Sequence, residues 1–186
     1  MFKLFVAVLY LLLTGGVAFA QAPTPGAKPS QDAKPAPEAK PTPGDGYTIH
    51  VTAAHLIDGK VRGPFHHYCK VVSPDPFIQC LLYETNDPNA KLVGIEYIVA
   101  KTMTRNTEVV PKSVWKKVWH DHAAEIATGN VKVLDLPPDK AKEVADLVSK
   151  TDGIIFSLWP EGAKLPNGKV SMGQMVGHAV HPNKKD

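Results

Sequence analysis

Residues 65–84 read FHHYCKVVSPDPFIQCLLYE. Two runs rich in aromatic and β-branched side chains flank Ser73-Pro74-Asp75-Pro76. The prolines there donate no ladder hydrogen bond and favour a turn. The pattern predicts a β-hairpin with strands over Phe65–Val72 and Phe77–Glu84. A turn centred between Pro74 and Asp75 sets Cys69 opposite Cys80. Opposite residues share a sheet face, and side chains alternate along a strand. His67, Cys69 and Cys80 are therefore expected on one face, and His66 and Tyr68 on the other.

On either side of the hairpin the pattern is mixed. Ile49–Leu56 reads as a short strand or a helical turn. Leu92–Ala100, rich in Val, Ile and Tyr, reads as a strand in preference to a buried helix. Pro111–Trp119 reads as a helix, with Pro111 suited to its first turn. Val131–Leu136 is a further strand. Pro137–Lys150 is the clearest helix: prolines open it, Asp139 lies in its first turn, and Val144, Leu147 and Val148 form an apolar stripe. Gly153 ends it ahead of a strand over Ile154–Trp159. A turn at Pro166-Asn167-Gly168 leads to a last strand within Lys169–Val180. The expected fold class is α+β: a single domain with a mainly antiparallel sheet and two or three helices.

The N-terminal part of the 186-residue chain has a different composition. Lys3, the apolar run Leu4–Leu13 and the small-x-small pattern Ala18-Phe19-Ala20 predict a cleavable signal peptide over residues 1–20. The apolar run is short of the roughly 20 residues a membrane span needs, so no transmembrane span is expected after cleavage. Residues 21–46 carry Pro23, Pro25, Pro29, Pro35, Pro37, Pro41 and Pro43 and no large aliphatic side chain. Ala-Lys-Pro recurs at Ala27, Ala33 and Ala39. Such a stretch buries no core and is expected to be a disordered, extended linker. Residues 47–186 form the expected globular domain, and export places it in the periplasm or outside the cell.

Lys and Arg number 21 against 18 Asp and Glu. That near balance argues against nucleic-acid binding, which needs a basic excess. Nothing in the sequence fixes the oligomeric state. No GxSxG elbow, P-loop or GxGxxG fingerprint is present.

The residues that could carry chemistry fall into two groups. His67, Cys69 and Cys80 share the hairpin face, with His66 as an accessory. Trp119-His120-Asp121-His122 follows later, with Glu125 beyond it. If this second segment is extended, His120 and His122 share a face. If it is helical, His122 and Glu125 become neighbours. The extended reading is preferred. Three readings then stand side by side. Some or all of His67, Cys69, Cys80, His120 and His122 hold a metal, with zinc or copper suited to imidazole and sulfur donors. Alternatively Cys69 and Cys80 form a disulfide, which an oxidising compartment favours. Or the histidines are hydrogen-bonded core residues beside two buried thiols. Glu84, Glu96 and Glu125 would act as bases only if a pocket gathers them. Met172, Met175, His178 and His181 form a looser late group that could bind copper.

Four separated motifs together resemble the oil-body-associated protein family: His66-His67-Tyr68-Cys69, Gln79-Cys80-Leu81-Leu82-Tyr83-Glu84, Lys91–Val99 and Trp119-His120-Asp121-His122. The resemblance covers most of residues 61–182. It implies a relationship to plant proteins of seed lipid droplets, with bacterial-type relatives forming a domain of unknown function. It carries over no catalytic residue. The plant pattern occurs in a cytosolic setting, which favours a ligand or packing role for the cysteines. The signal peptide and proline linker depart from that pattern. The expected function is that of an exported, non-enzymatic domain, binding a metal through the His/Cys groups or serving a lipid- or envelope-associated structural role. A metal-dependent hydrolase or oxygenase is the alternative.

Overall fold

The computed structural model describes residues 42–177. The expected signal peptide, most of the linker, and His178 and His181 lie outside the described residues.

The strands are β1 (Ile49–Ile57), β2 (Lys60–Ser73), β3 (Phe77–Tyr83), β4 (Leu92–Ala100), β5 (Trp119–Asp121), β6 (Lys132–Leu134), β7 (Thr151–Ser157) and β8 (Ser171–Met175). The helices are α1 (Lys101–Thr104), α2 (Lys112–Val118), α3 (His122–Ala127) and α4 (Pro138–Val148). Hairpin pairing follows the expected register: Cys69 opposes Cys80 and His67 opposes Leu82. Along β3, Ile78, Cys80 and Leu82 are buried while their neighbours are only partly so, the alternation of a strand with one face on a core.

The α+β expectation is overturned. The strands run β1-β2-β3-β4-β7-β8 and back to β1, a closed six-strand antiparallel barrel with two extra strands and only short helices. Tracing partners from Ile49 through Cys69, Cys80, Glu96, Ile155 and Gly173 returns to β1 at Ile57, not Ile49. This offset is the shear that tilts strands and lets a sheet close without free edges. β5 and β6 lie outside the ring: β5 pairs with β7, and β6 pairs with β1.

Two local features explain why the sequence reads as an open sheet. The first is Gly63-Pro64, which looks like a chain break but is an irregularity inside the 14-residue β2. Gly63 has φ 97°, and a Cβ on it would lie 2.6 Å from the Phe65 amide nitrogen, so only glycine fits there. The second is the short β8, which closes the ring by pairing Gly173 with both Ile57 and Ile155. A Cβ at Gly173 would meet the Ile155 side chain at 2.8 Å. Ile155 is fully buried and packs in the core with Ile57, Phe65, Ile78, Leu82 and Ile98.

α2 begins after Pro111 and α4 after Pro137, as expected. α4 has no fully buried residue and rests on the barrel through its apolar stripe, with Leu147 against the core. Among the described residues no helix is long and apolar enough to cross a membrane.

Overpacking the seam should weaken the whole barrel. Gly173→Val is expected to cost about 1–3 kcal/mol, and Ile155→Ala about 2–5 kcal/mol through the cavity it leaves. Urea unfolding midpoints measure both. No change in either would show that β8 does not close the barrel.

Candidate metal centre

Strand alternation turns His55 of β1, His67 of β2 and Glu96 of β4 into the barrel. There they meet His120 of β5 with His122 and Glu125 of α3. All six side chains are buried, between 0% and 3% exposed. Asp121 sets the last three. Its carboxylate accepts from the Ala123 and Ala124 amides and so caps α3. Lys101 and Arg105 hold that carboxylate at 2.7 and 2.9 Å. Next to it, buried Asp152 accepts from Arg105, Thr104 and the Trp115 indole. β5 and the head of α3 are thereby fixed against β7.

Opposite His120 in the β5–β7 register stands Gly153. A Cβ there would lie 2.4 Å from Glu96 Oε1 and 2.7 Å from His120 Nε2. The missing side chain is the space that lets imidazole and carboxylate meet.

Two imidazoles have their orientation set from behind. His67 Nδ1 lies 3.1 Å from the Phe65 carbonyl oxygen, which can only accept, so Nδ1 carries the proton. His122 Nδ1 lies 2.8 Å from Thr151 Oγ1, whose own proton goes to the Val148 carbonyl. In both residues Nε2 points into the cluster. His67 Nε2 is 2.9 Å from His55 Nε2 and 3.6 Å from Glu96 Oε2. His122 Nε2 is 3.2 Å and His120 Nε2 3.3 Å from Glu96 Oε1. Glu125 contributes Oε1 3.5 Å from His55 Nδ1 and Oε2 3.6 Å from His120 Nε2. Several buried atoms have no hydrogen-bond partner among the described residues: His55 Nδ1, both ring nitrogens of His120, and Glu125 Oε1. Orphaned buried polar atoms are costly.

Burial opposes charge on His67, Glu96, His120 and Glu125, and the neighbouring groups either add to it or overcome it. For His67, burial and the adjacent His55 push the imidazole down to about 4. For His120, burial is outweighed by Glu125 and Glu96, which push it up to about 10. Burial would likewise raise Glu96 and Glu125, but the surrounding histidines hold both carboxyls well below the usual carboxylate range.

The cluster differs from the set expected from sequence. Cys69 and Cys80 are joined by a disulfide, S–S 2.01 Å, the second of the three readings of the sequence, so neither offers a thiolate ligand. His66 lies on the other face of β2, bonded to His50 at 2.9 Å, away from the cluster. Its partner His50 contacts Asp135. His120 is extended in β5, but His122 already opens α3, so the two readings of that segment each describe one residue. Glu96 and Glu125 are gathered, while Glu84 is exposed and paired with Lys91. Met172 and Met175 lie on β8. The sequence reading missed His55, Thr151 and Gly153. His55 has the same parity as Val51, Ala53 and Ile57, and that alternation was the available signal.

Beside the cluster, a cavity of ≈ 40 Å³ reaches toward α4. Its walls away from the histidines and carboxylates are apolar, including Ile126, Val133, Val144 and Val148.

In metal-free protein the two perturbed imidazoles should give stability a maximum near neutral pH. Below about pH 6.5 an unfolded His67 gains a proton that the folded residue refuses until about pH 4, so stability falls with acid. Above about 6.5 an unfolded His120 loses a proton that the folded residue keeps until about pH 10, so stability falls with base. Urea midpoints of chelator-treated protein at pH 5, 6.5 and 9 test this. A His120→Asn variant should lose the fall on the alkaline side.

A family profile described as "Protein of unknown function (DUF1264)" matches residues 42–183. Oil body-associated protein 1B of Arabidopsis thaliana is 35% identical over 105 residues, covering 55% of this chain and 42% of its own length. Oil body-associated protein 2C of Arabidopsis thaliana is 34% identical over 105 residues, with the same coverage of each chain. Oil body-associated protein 2A of Zea mays is 29% identical over 118 residues, covering 62% and 45%. The chain thus spans less than half the length of these relatives. No solved structure matches.

Proposed function

This chain belongs to the DUF1264 family, whose function is unknown, and from that premise we propose that its barrel is a metal-binding module. The ligands are drawn from His55, His67, Glu96, His120, His122 and Glu125. One observation carries the reading. Phe65 O and Thr151 Oγ1 fix Nδ1–H on His67 and His122 and turn both Nε2 atoms inward. Metal-ligating histidines are held in this manner, with the outer nitrogen donating to a carbonyl or hydroxyl. The orphaned nitrogens of His120 and His55 fit the same reading. With the cysteines oxidised, the donors are imidazole and carboxylate. Such sets suit zinc, Cu(II), manganese, iron or cobalt rather than Cu(I).

Binding is favoured over hydrolysis of a sizeable substrate. Ligand pockets commonly run to about 300–1,000 Å³, and the cavity beside the cluster holds ≈ 40 Å³. The disulfide supports export to an oxidising compartment. An intact mass lacking residues 1–20 in the extracytoplasmic fraction is the expected result, and retention of those residues in a cytoplasmic chain would exclude export.

Elemental analysis of tag-free protein should find zinc or another divalent transition metal, and chelated protein should take it up again. Thr151→Val, which removes the hydroxyl behind His122 together with its bond to the Val148 carbonyl, should weaken affinity about 10–100-fold. Less than a tenth of an equivalent bound, with no uptake on titration, rules the reading out.

A further inference from the structure

The six side chains do not point to one centre. They divide into two halves joined by a carboxylate, and we infer that the barrel holds two metal ions bridged by Glu96. This inference rests on the metal-binding reading above.

The first half is built from adjacent strands. His55 and His67 bring their Nε2 atoms to 2.9 Å of each other, with Glu96 Oε2 3.6 Å from His67. The second half comes from β5 and the head of α3. His120 and His122 present Nε2 at 3.3 and 3.2 Å from the other carboxylate oxygen, Glu96 Oε1. Their rings stand edge to face, 4.8 Å apart, as two ligands of one ion can. Each half is a complete three-donor group within 4.8 Å, and Glu96 is the member common to both. A carboxylate with one oxygen committed to each side is a bridge.

Glu125 takes an unequal part. Its Oε2 faces His120 Nε2 at 3.6 Å and His122 Nε2 at 4.0 Å, adding a fourth donor to the second ion. Its Oε1 faces His55 Nδ1 at 3.5 Å. Neither of these two atoms has a hydrogen-bond partner among the described residues, so His55 lacks the bonded outer oxygen that His67 has in Phe65 O. One imidazole in each half, His67 in the first and His122 in the second, therefore has an oxygen bonded behind it and Nε2 in front.

A single ion accounts for this less well. Bound in either half, it would satisfy one pair of imidazoles. An ion in the first half alone would leave both ring nitrogens of His120 without a partner, and an ion in the second half alone would leave His55 Nδ1 so, at the cost that unpaired buried groups carry. Gly153 bears on the same point. Its missing Cβ admits His120 beside Glu96 and thereby brings the second half into contact with the bridging residue. The ≈ 40 Å³ cavity touches members of both halves, His55 and His67 on one side and His122 and Glu125 on the other. It has room for only a few small atoms, since one water needs about 10–15 Å³ of such space. Any exogenous ligand there would be of water or dioxygen size.

Cobalt(II) titration of chelator-treated full chain tests the bridge. The expected result is two equivalents bound. The electron paramagnetic resonance intensity should rise with the first and fall below the two-ion sum with the second, as bridged spins couple. A His55→Ala/His67→Ala double variant should keep one cobalt with the full uncoupled signal. It leaves β5 and α3 untouched. If it fails to fold, the wild-type stoichiometry and spin integration still decide. One equivalent at saturation overturns the dinuclear centre but leaves the metal-binding reading standing. Two equivalents with additive, uncoupled signals overturn the bridge. No cobalt bound overturns both.

Discussion

The barrel interior depends on one carboxylate. Glu96 enters a space that aliphatic side chains would otherwise fill, and it is 3% exposed. An isolated buried carboxylate is tolerated only when it is paired, bonded or neutralised. Here both oxygens face imidazole nitrogens, from β2 on one side and from β5 and α3 on the other. The positions of those elements follow from this requirement. β5 and α3 are appended to the ring instead of belonging to it, and their function in the fold is to carry His120, His122 and Glu125 to that carboxylate.

What holds them there is a second polar system behind the first. Asp152 precedes Gly153 and points to the opposite face of β7, where Arg105, Thr104 and Trp115 all donate to it. Arg105 stacks over the Trp115 ring at 4.3 Å and also reaches Asp121. The guanidinium therefore ties α1, α2, β5 and β7 at one point. Because Asp152 and Asp121 are register partners, the same grip sets the height of His120 opposite Gly153. Planar, forked recognition of two carboxylates is a task lysine does not perform.

Some of this was legible in the sequence and some was not, for identifiable reasons. The hairpin register, the inward set His67, Cys69 and Cys80, and the proline-opened helices α2 and α4 follow from local chemistry, and the structure has them. Closure does not follow from local chemistry. It depends on Gly173 meeting β1 and β7 at once, and a five-residue strand gives little periodic signal. His55 was hidden because histidine, threonine and alanine dilute the strand pattern of β1. Gly153 was read as a helix stop. Its real constraint is a contact made by residues far away in the chain, which no local rule contains.

The disulfide and the histidine cluster are neighbours with separate duties. Cys80 lies directly across from Glu96 on the adjacent strand, and Cys69 pairs with Ile49 at the start of β1. The covalent link therefore spans the part of the wall beside the buried Glu96 carboxylate, two residues along β2 from His67. Locking these strands fixes the separation between His67 and Glu96. Oxidised sulfur also takes no part as a thiolate donor, so hard and borderline donors alone face the cavity. A reduced pair at the same place would offer two soft ligands next to Glu96 and change which ions the interior could select. The oxidation state of a bond that touches no histidine thus shapes the chemistry available to all four.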